Sequence, residues 1–340
     1  MKFLQFITVL IGLAALSATS QAGEETPFKM SFPLNCELHK DCWPLYYVDV
    51  NRTENVVEDY ACGKRSYDQH KGTDFAIRDS LAMAKGIDVR AVASGTVLRL
   101  RDGVNNDFKS KDGLEAVRKA GIECGNGVFV DHGNGFETQY CHLKKDSIGV
   151  KQGQKVERGQ KLGEVGVSGL AEHPHLHLSV YKDHELIDPF MGKDVIKADC
   201  SKDYYDVKTY WDDTLPPRDE RPSFYDAGFS TTMPAFDLIV QGQKGTVPKI
   251  GAKAFIFWVS MFDIRSGDYI VMKINDDKGR EVVSRTISQD KDKIRQHYAA
   301  GRKISKGLPA GIYTGSVALT RVMDDGNTQT YRHSAVITLE

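Results

Sequence analysis

The chain has 340 residues, enough for two domains of ordinary size, and its 41% hydrophobic and 27% charged content is that of a soluble globular protein. A formal net charge of −1 supplies neither the basic surface of a nucleic-acid-binding protein nor a polybasic membrane anchor.

At the N-terminus, Lys2 precedes an apolar run from Phe3 to Leu16, and small residues then lead to Ser20-Gln21-Ala22. This order predicts a secretory signal peptide over residues 1–22, because the run is too short to span a bilayer comfortably. No cysteine follows the cleavage point, which argues against a lipoprotein, and no later stretch is long and apolar enough for a membrane helix. The expected location is therefore the periplasm or the cell exterior. Six cysteines remain, Cys36, Cys42, Cys62, Cys124, Cys141 and Cys200. Export and an even count favour disulfides, and the absence of a C-x-x-C pair argues against a cysteine zinc site. Cys124 and Cys141 flank a predicted hairpin and are expected to bridge; the other four allow three pairings.

Residues 28–193 are dense in short strand patterns and glycine turns. Strands are expected at 89–93 and 96–100. A hairpin is expected where residues 127–131 turn at Gly133-Asn134 and return through Phe136 to His142. Two Gly-Gln units, at 153–154 and 159–160, mark tight turns beside apolar strand positions, and a last strand runs from His175 to Tyr181. One helical patch, 113–120, falls in a polar insertion. This region is expected to be all-β and mostly antiparallel. Over 194–230 the pattern loosens into a connector with a proline-rich, charged segment at 215–222. Strand patterns resume in 231–340, at 236–240, 254–262, 269–274, 281–287, 312–322 and 331–339, and suggest a β-sandwich. His297 and His333 stand alone there and read as surface or sheet residues.

Three segments carry chemistry. In Pro174-His175-Leu176-His177-Leu178, strand alternation puts His175 and His177 on one face, about 7 Å apart, and sends Leu176, Leu178 and Val180 to the core. One imidazole can ligate a metal while the other works beside it. In His70-Lys71-Gly72-Thr73-Asp74, a straight strand would hold the histidine and the carboxylate too far apart for one ion, and a turn at Gly72 can bring them together. In Thr138-Gln139-Tyr140-Cys141-His142-Leu143, alternation groups Thr138, Tyr140 and His142 on one face, from which His142 can reach the same cleft. His173 reads as a loop residue and His132 as a solvated residue of the hairpin turn.

Taken together, the H-x-G-x-D, Y-x-H-L and H-x-H segments, in that order, resemble the lysostaphin-type (LytM-like) zinc metallopeptidases. The Gly-Gln turns and residues 88–97 are similar as well, and the resemblance covers about residues 65–190. It implies zinc, one ion per catalytic domain, bound by His70, Asp74 and His177, with His142 and His175 as the catalytic histidines. Three protein ligands leave a fourth position for water, as hydrolysis requires. Histidine suits the general base, since no H-E-x-x-H helix is present. All five positions are filled. The insertion at about 102–123, the cysteine-containing segment 36–62 and the C-terminal region depart from the family pattern. The resemblance implies an endopeptidase acting on peptidoglycan cross-links or stem peptides, with no nucleic-acid partner and no stable membrane insertion. The alternatives are a non-catalytic activator of another wall hydrolase, which the filled site disfavours, and a secreted peptidase acting on glycine-rich proteins.

Overall fold

The computed structural model describes residues 27–194, 209–213, 215, 221–323 and 326–340. The expected signal peptide, Cys200 and much of the expected connector lie outside the described residues.

The first part of the chain builds one large antiparallel sheet. Its leading strands are β1 (Cys42–Tyr46) and β2 (Thr73–Ile77), followed by helix α1 (Ser80–Lys85), β3 (Asp88–Arg90) and β4 (Gly95–Arg101). Helix α2 (Lys111–Lys119) fills the polar insertion, where a helix was expected. Then come the hairpin β5 (Asn126–Gly133) and β6 (Phe136–Leu143), the short β7 (Lys155–Val156), β8 (Lys161–Glu164), β9 (His175–Lys182), β10 (Glu185–Asp188) and β11 (Lys193–Asp194). The sheet order is β1-β2-β9-β6-β5-β4-β7, with β10 extending the hairpin from β9 and pairing β11; β3 and β8 form a separate ribbon. The all-β, antiparallel architecture expected from the sequence is the one observed.

Burial follows the strand period. Leu176, Leu178 and Val180 of β9 are fully buried with Phe75 and Ile77 of β2 and Tyr140 of β6. The Gly-Gln turns work through both residues. Gly153 and Gly159 take φ of 80° and 79°, while the Gln154 and Gln160 side chains accept the Lys151 and Glu157 N–H groups across each turn.

The second part holds β12 (Ser223–Ser230), α3 (Phe236–Val240), β13 (Ala254–Ile264), β14 (Tyr269–Asp276), β15 (Glu281–Ser288), β16 (Lys293–Lys303), β17 (Gly311–Val322) and β18 (Thr328–Leu339). Two sheets, β12-β13-β16 and β15-β14-β17-β18, enclose an apolar core that includes Phe255, Phe257, Ile270 and Leu319. Residues 236–240, expected as a strand, form a helical turn instead. Five residues, four of them apolar, are too few to distinguish a period of 2 from 3.6, and Gly242, at φ 82°, ends the turn by donating to the Ile239 carbonyl. β12 lies inside the stretch read as a connector, and β16 escaped notice because few of its residues are buried.

The two parts touch. Trp43, Leu45 and Ala76 from the large sheet pack with Tyr225 and Phe262 from the sandwich, so the edge strand β1 is covered. Cys36–Cys42 and Cys124–Cys141 are disulfides, the second as expected, and Cys62 is also disulfide-bonded.

Candidate metal centre

The centre forms where three neighbouring strands, β2, β9 and β6, present side chains to one face. In the ladder Asp74 lies opposite His177, and His177 lies opposite Cys141 on its other side. His70 enters from the loop before β2. That loop is organised by Asp49, which is buried and accepts the Gln69 N–H through Oδ2 and the Asn51 and Glu58 N–H groups through Oδ1. The Asp49 N–H in turn donates to the His70 carbonyl.

His70 Nε2, Asp74 Oδ1 and His177 Nδ1 converge. The separations are 3.2 Å from His70 to Asp74, 3.1 Å from His70 to His177 and 2.8 Å from His177 to Asp74. A tetrahedral ion with bonds of about 2.0–2.1 Å holds its ligand atoms about 3.3 Å apart, so the spacing fits zinc. The chemistry fits too. The Tyr47 carbonyl can only accept, so His70 Nδ1 carries the proton that donates to it over 2.7 Å. His70 Nε2 is then a lone pair facing a carboxylate, an arrangement that calls for a cation between them. Burial alone would raise the Asp74 carboxyl, but His70, His175 and His177 hold it well below its usual range and keep it anionic. His177 is oriented from its far side, where Nε2 meets Ser179 Oγ at 3.0 Å.

Gly72 serves the centre differently from expectation. Its φ is ordinary, and what excludes a side chain is space: a Cβ there would lie 2.6 Å from His177 Nε2 and 2.7 Å from the Leu178 carbonyl oxygen. The glycine lets the loop pass against the His177 ring.

His175 and His177 share a face as expected. His142 reaches the same cleft by another route. Thr138 and Tyr140 are fully buried on the core face, where the Tyr140 hydroxyl accepts the Val92 N–H. Simple alternation would bury His142 with them. Instead β6 carries an extra residue between Tyr140 and Leu143, a bulge against Asn126 and Val128 of β5. His142 takes φ 63° there and turns its ring to the site. Its centroid lies 4.6 Å from His175 and 5.8 Å from His177. His142 Nδ1 donates to the Ser168 carbonyl and His175 Nδ1 to the His173 carbonyl, which leaves Nε2 of each as the available base. Burial, reinforced by His175 and His177, pushes the His142 imidazole well below its usual pKa.

His173 is buried rather than looped into the cleft, with Nε2 donating to the Ile77 carbonyl and its ring against Tyr225 and Phe262. His132 is not simply solvated: its nitrogens meet the Ser94 carbonyl and Thr138 Oγ1. His297 and His333 lie in sheet strands, stacked on Phe236 and Phe224. The sequence reading missed Asp49, Ser179 and two tyrosines, Tyr46 and Tyr67. Tyr67 stacks on His70 at 4.2 Å and Tyr46 meets Tyr67 edge-on; the serine two residues after His177 was the one legible signal. A groove of about 420 Å³, lined by Tyr67, His70, Gln139, His142 and His177, opens onto the centre.

Comparison with known proteins agrees with this construction. Residues 68–189 match the model of peptidase family M23 and enclose all five histidine and aspartate positions, so the chain carries a peptidase M23 domain. It is 44% identical over 70 residues to the peptidoglycan DD-endopeptidase ShyA of Vibrio cholerae, covering 21% of this chain and 16% of that protein. It is 32% identical over 120 residues to the DD-carboxypeptidase/endopeptidase Mpg of Neisseria meningitidis, covering 35% and 22%. The chain thus spans a quarter or less of these relatives' length. Among solved structures it is similar to a zinc-containing peptidase from Vibrio cholerae, at 28% identity over 45% of this chain and 39% of that one, with a TM-score of 0.27. It is also similar to the catalytic domain of lysostaphin from Staphylococcus simulans, at 21% identity over 42% and 85%, with a TM-score of 0.27.

Proposed function

We propose that this chain is an exported zinc endopeptidase that hydrolyses peptide bonds in peptidoglycan. The observation that carries the reading is the convergence of His70 Nε2, Asp74 Oδ1 and His177 Nδ1 within one ligand sphere, inside the segment that matches peptidase family M23. The endopeptidase relatives named above supply the substrate class. In this reading residues 28–193 form the catalytic unit and 231–340, joined by β12 from the end of the expected 194–230 connector, form an accessory sandwich.

His70, Asp74 and His177 hold the ion. Zinc bound there would polarise the scissile carbonyl and lower the pKa of water toward about 7. His175, with its proton on Nδ1, takes up a proton at Nε2. His142, held neutral by burial with its Nδ1 proton on the Ser168 carbonyl, presents Nε2 as a second base, and once that nitrogen takes a proton from the attacking water it would donate to the developing oxyanion. Tyr67 shields the His70 face from water.

The test is digestion of purified peptidoglycan by the zinc-loaded protein, with products identified by mass spectrometry. Release of peptide-cleaved muropeptides is expected, and normal turnover by His177→Ala would sink the zinc assignment. An activator would purify without stoichiometric zinc, and parallel digestion of a glycine-rich protein separates the third reading.

A further inference from the structure

A second cavity adjoins the centre on the other side of Asp74 and His175. It measures about 280 Å³, and its walls include Tyr46, Leu114, Arg118, Glu172 and Arg295. Arg295 stands on β16, so the sandwich supplies one wall of a cavity that reaches the metal ligands. Its side chain is 19% exposed and its ion pair with Glu172, itself 66% exposed, is 3.6 Å long. The guanidinium lies over the Phe236 ring at 5.0 Å, and its charge opposes the rise that burial imposes on the Tyr46 phenol.

A guanidinium presents five N–H donors in a rigid fork suited to a carboxylate. A contact of 3.6 Å is not a hydrogen bond, and a mostly buried cation whose anion stands off in solvent is poorly compensated. Arg118 of α2 also lines the cavity, but it is 54% exposed and already pairs with Glu115 at 3.7 Å. Asp74, the other anion on its wall, is committed to the histidines. The mostly buried Arg295 therefore faces one solvent-exposed glutamate, beside the centre where the peptide bond would be cut.

We propose that this cavity is an anion subsite that receives a carboxylate of the peptide substrate on a residue next to the scissile bond, and that Arg295 is its specificity-determining contact. The inference rests on the peptidase reading. It names the substrate class more narrowly: peptides carrying a free carboxylate, at a C-terminus or on a side chain, close to the cut.

The test uses the zinc-loaded full chain and paired synthetic cross-linked muropeptides that differ only in amidation of the carboxylates flanking the cross-link. The wild type should favour the free carboxylate in kcat/KM by about tenfold or more, the scale of a charge-assisted hydrogen bond, with most of the difference in KM. Arg295→Gln should bring the ratio near one, and Arg295→Lys should keep part of it. Arg295→Met, which retains the apolar stem over Phe236, serves in place of a glutamine variant that does not fold. Equal cleavage of the two peptides by the wild type, or an unchanged ratio in Arg295→Gln, overturns the subsite. Cleavage of neither peptide by the wild type overturns the peptidase reading and the subsite with it.

Discussion

At the scale of single residues, the proposed function separates holding a metal from moving a proton. His70 and His177 have one nitrogen in the ligand triangle and the other fixed by Tyr47 or Ser179. His142 and His175 are each fixed through Nδ1 to a backbone carbonyl and present Nε2. The two classes should respond differently to substitution. His177→Ala should lose bound zinc. His142→Asn should keep it, because asparagine tolerates the positive φ of 63°, while kcat falls by about 10²–10⁴; zinc content and rates on one preparation distinguish the two, and loss of metal from His142→Asn would contradict the division. Asp188 offers a second prediction. It is buried with Oδ1 accepting the Phe190 and Met191 N–H groups. Burial pushes its carboxyl up from 3.8 to about 7, with Asp59 adding to the rise. Between those values the folded protein keeps a proton that the unfolded chain gives up, so the stability Asp188 contributes is greatest in acid, falls as pH rises and levels off above about 7. The melting temperature should therefore drop between pH 5 and pH 8 in the wild type more than in Asp188→Asn, and parallel curves would refute the account.

At the scale of elements, what was legible in the sequence is what period and spacing encode. The H-x-H pair on β9 and the hairpin β5–β6 follow from a period of 2, and the core face of β9 was read correctly. His142 was placed in the cleft for a reason the structure replaces: the bulge in β6, not alternation, turns it there, and a bulge leaves no mark in the hydrophobic pattern. The turn α3, expected as a strand, is too short for its apolar residues to set a period, and the polar strand β16 has too few buried residues to show one. Gly72 was recognised as necessary, but its necessity is the nearness of the His177 ring, which depends on strand pairing across a separation of about a hundred residues and is invisible locally. That distinction is testable. If Gly72 served only a turn, alanine at its ordinary φ would be harmless. Because a Cβ would meet His177 Nε2 at 2.6 Å and a backbone oxygen at 2.7 Å, Gly72→Ala should displace the ligand and weaken zinc binding about 10–100-fold. A competition titration with a chromophoric chelator measures this, and wild-type affinity in the variant would rule out the close-approach role.

At the scale of the whole molecule, the sandwich is fastened to the large sheet by an apolar cluster and a buried ionic junction. The cluster joins Trp43 and Leu45 to Tyr225 and Phe262. At the junction, the Asp263 carboxylate lies 3.8 Å from Arg65 of the large sheet's side and 3.2 Å from Arg321 of β17. Arg321 also pairs with Asp268 at 2.7 Å. Burial alone would raise the Asp263 carboxyl, but Arg65, Arg265 and Arg321 hold it below its ordinary value. The stability it contributes is therefore present above the ordinary aspartate range and is lost as pH falls through the lowered folded value. Because Arg65 also donates to the Leu45 and Pro44 carbonyls at β1, the junction clamps the strand that borders β2 and the metal ligand Asp74. Asp263→Asn keeps the shape and suits the φ of 55°, yet removes an anion shared by both sides. Breaking a buried ion pair of this kind costs about 3 kcal/mol. Urea unfolding at neutral pH should show a midpoint lowered accordingly. The gap between variant and wild type should shrink in acid, where the wild-type carboxylate is protonated as well. A variant as stable as the wild type at neutral pH would mean that the Asp263 junction does not help to hold the two parts together.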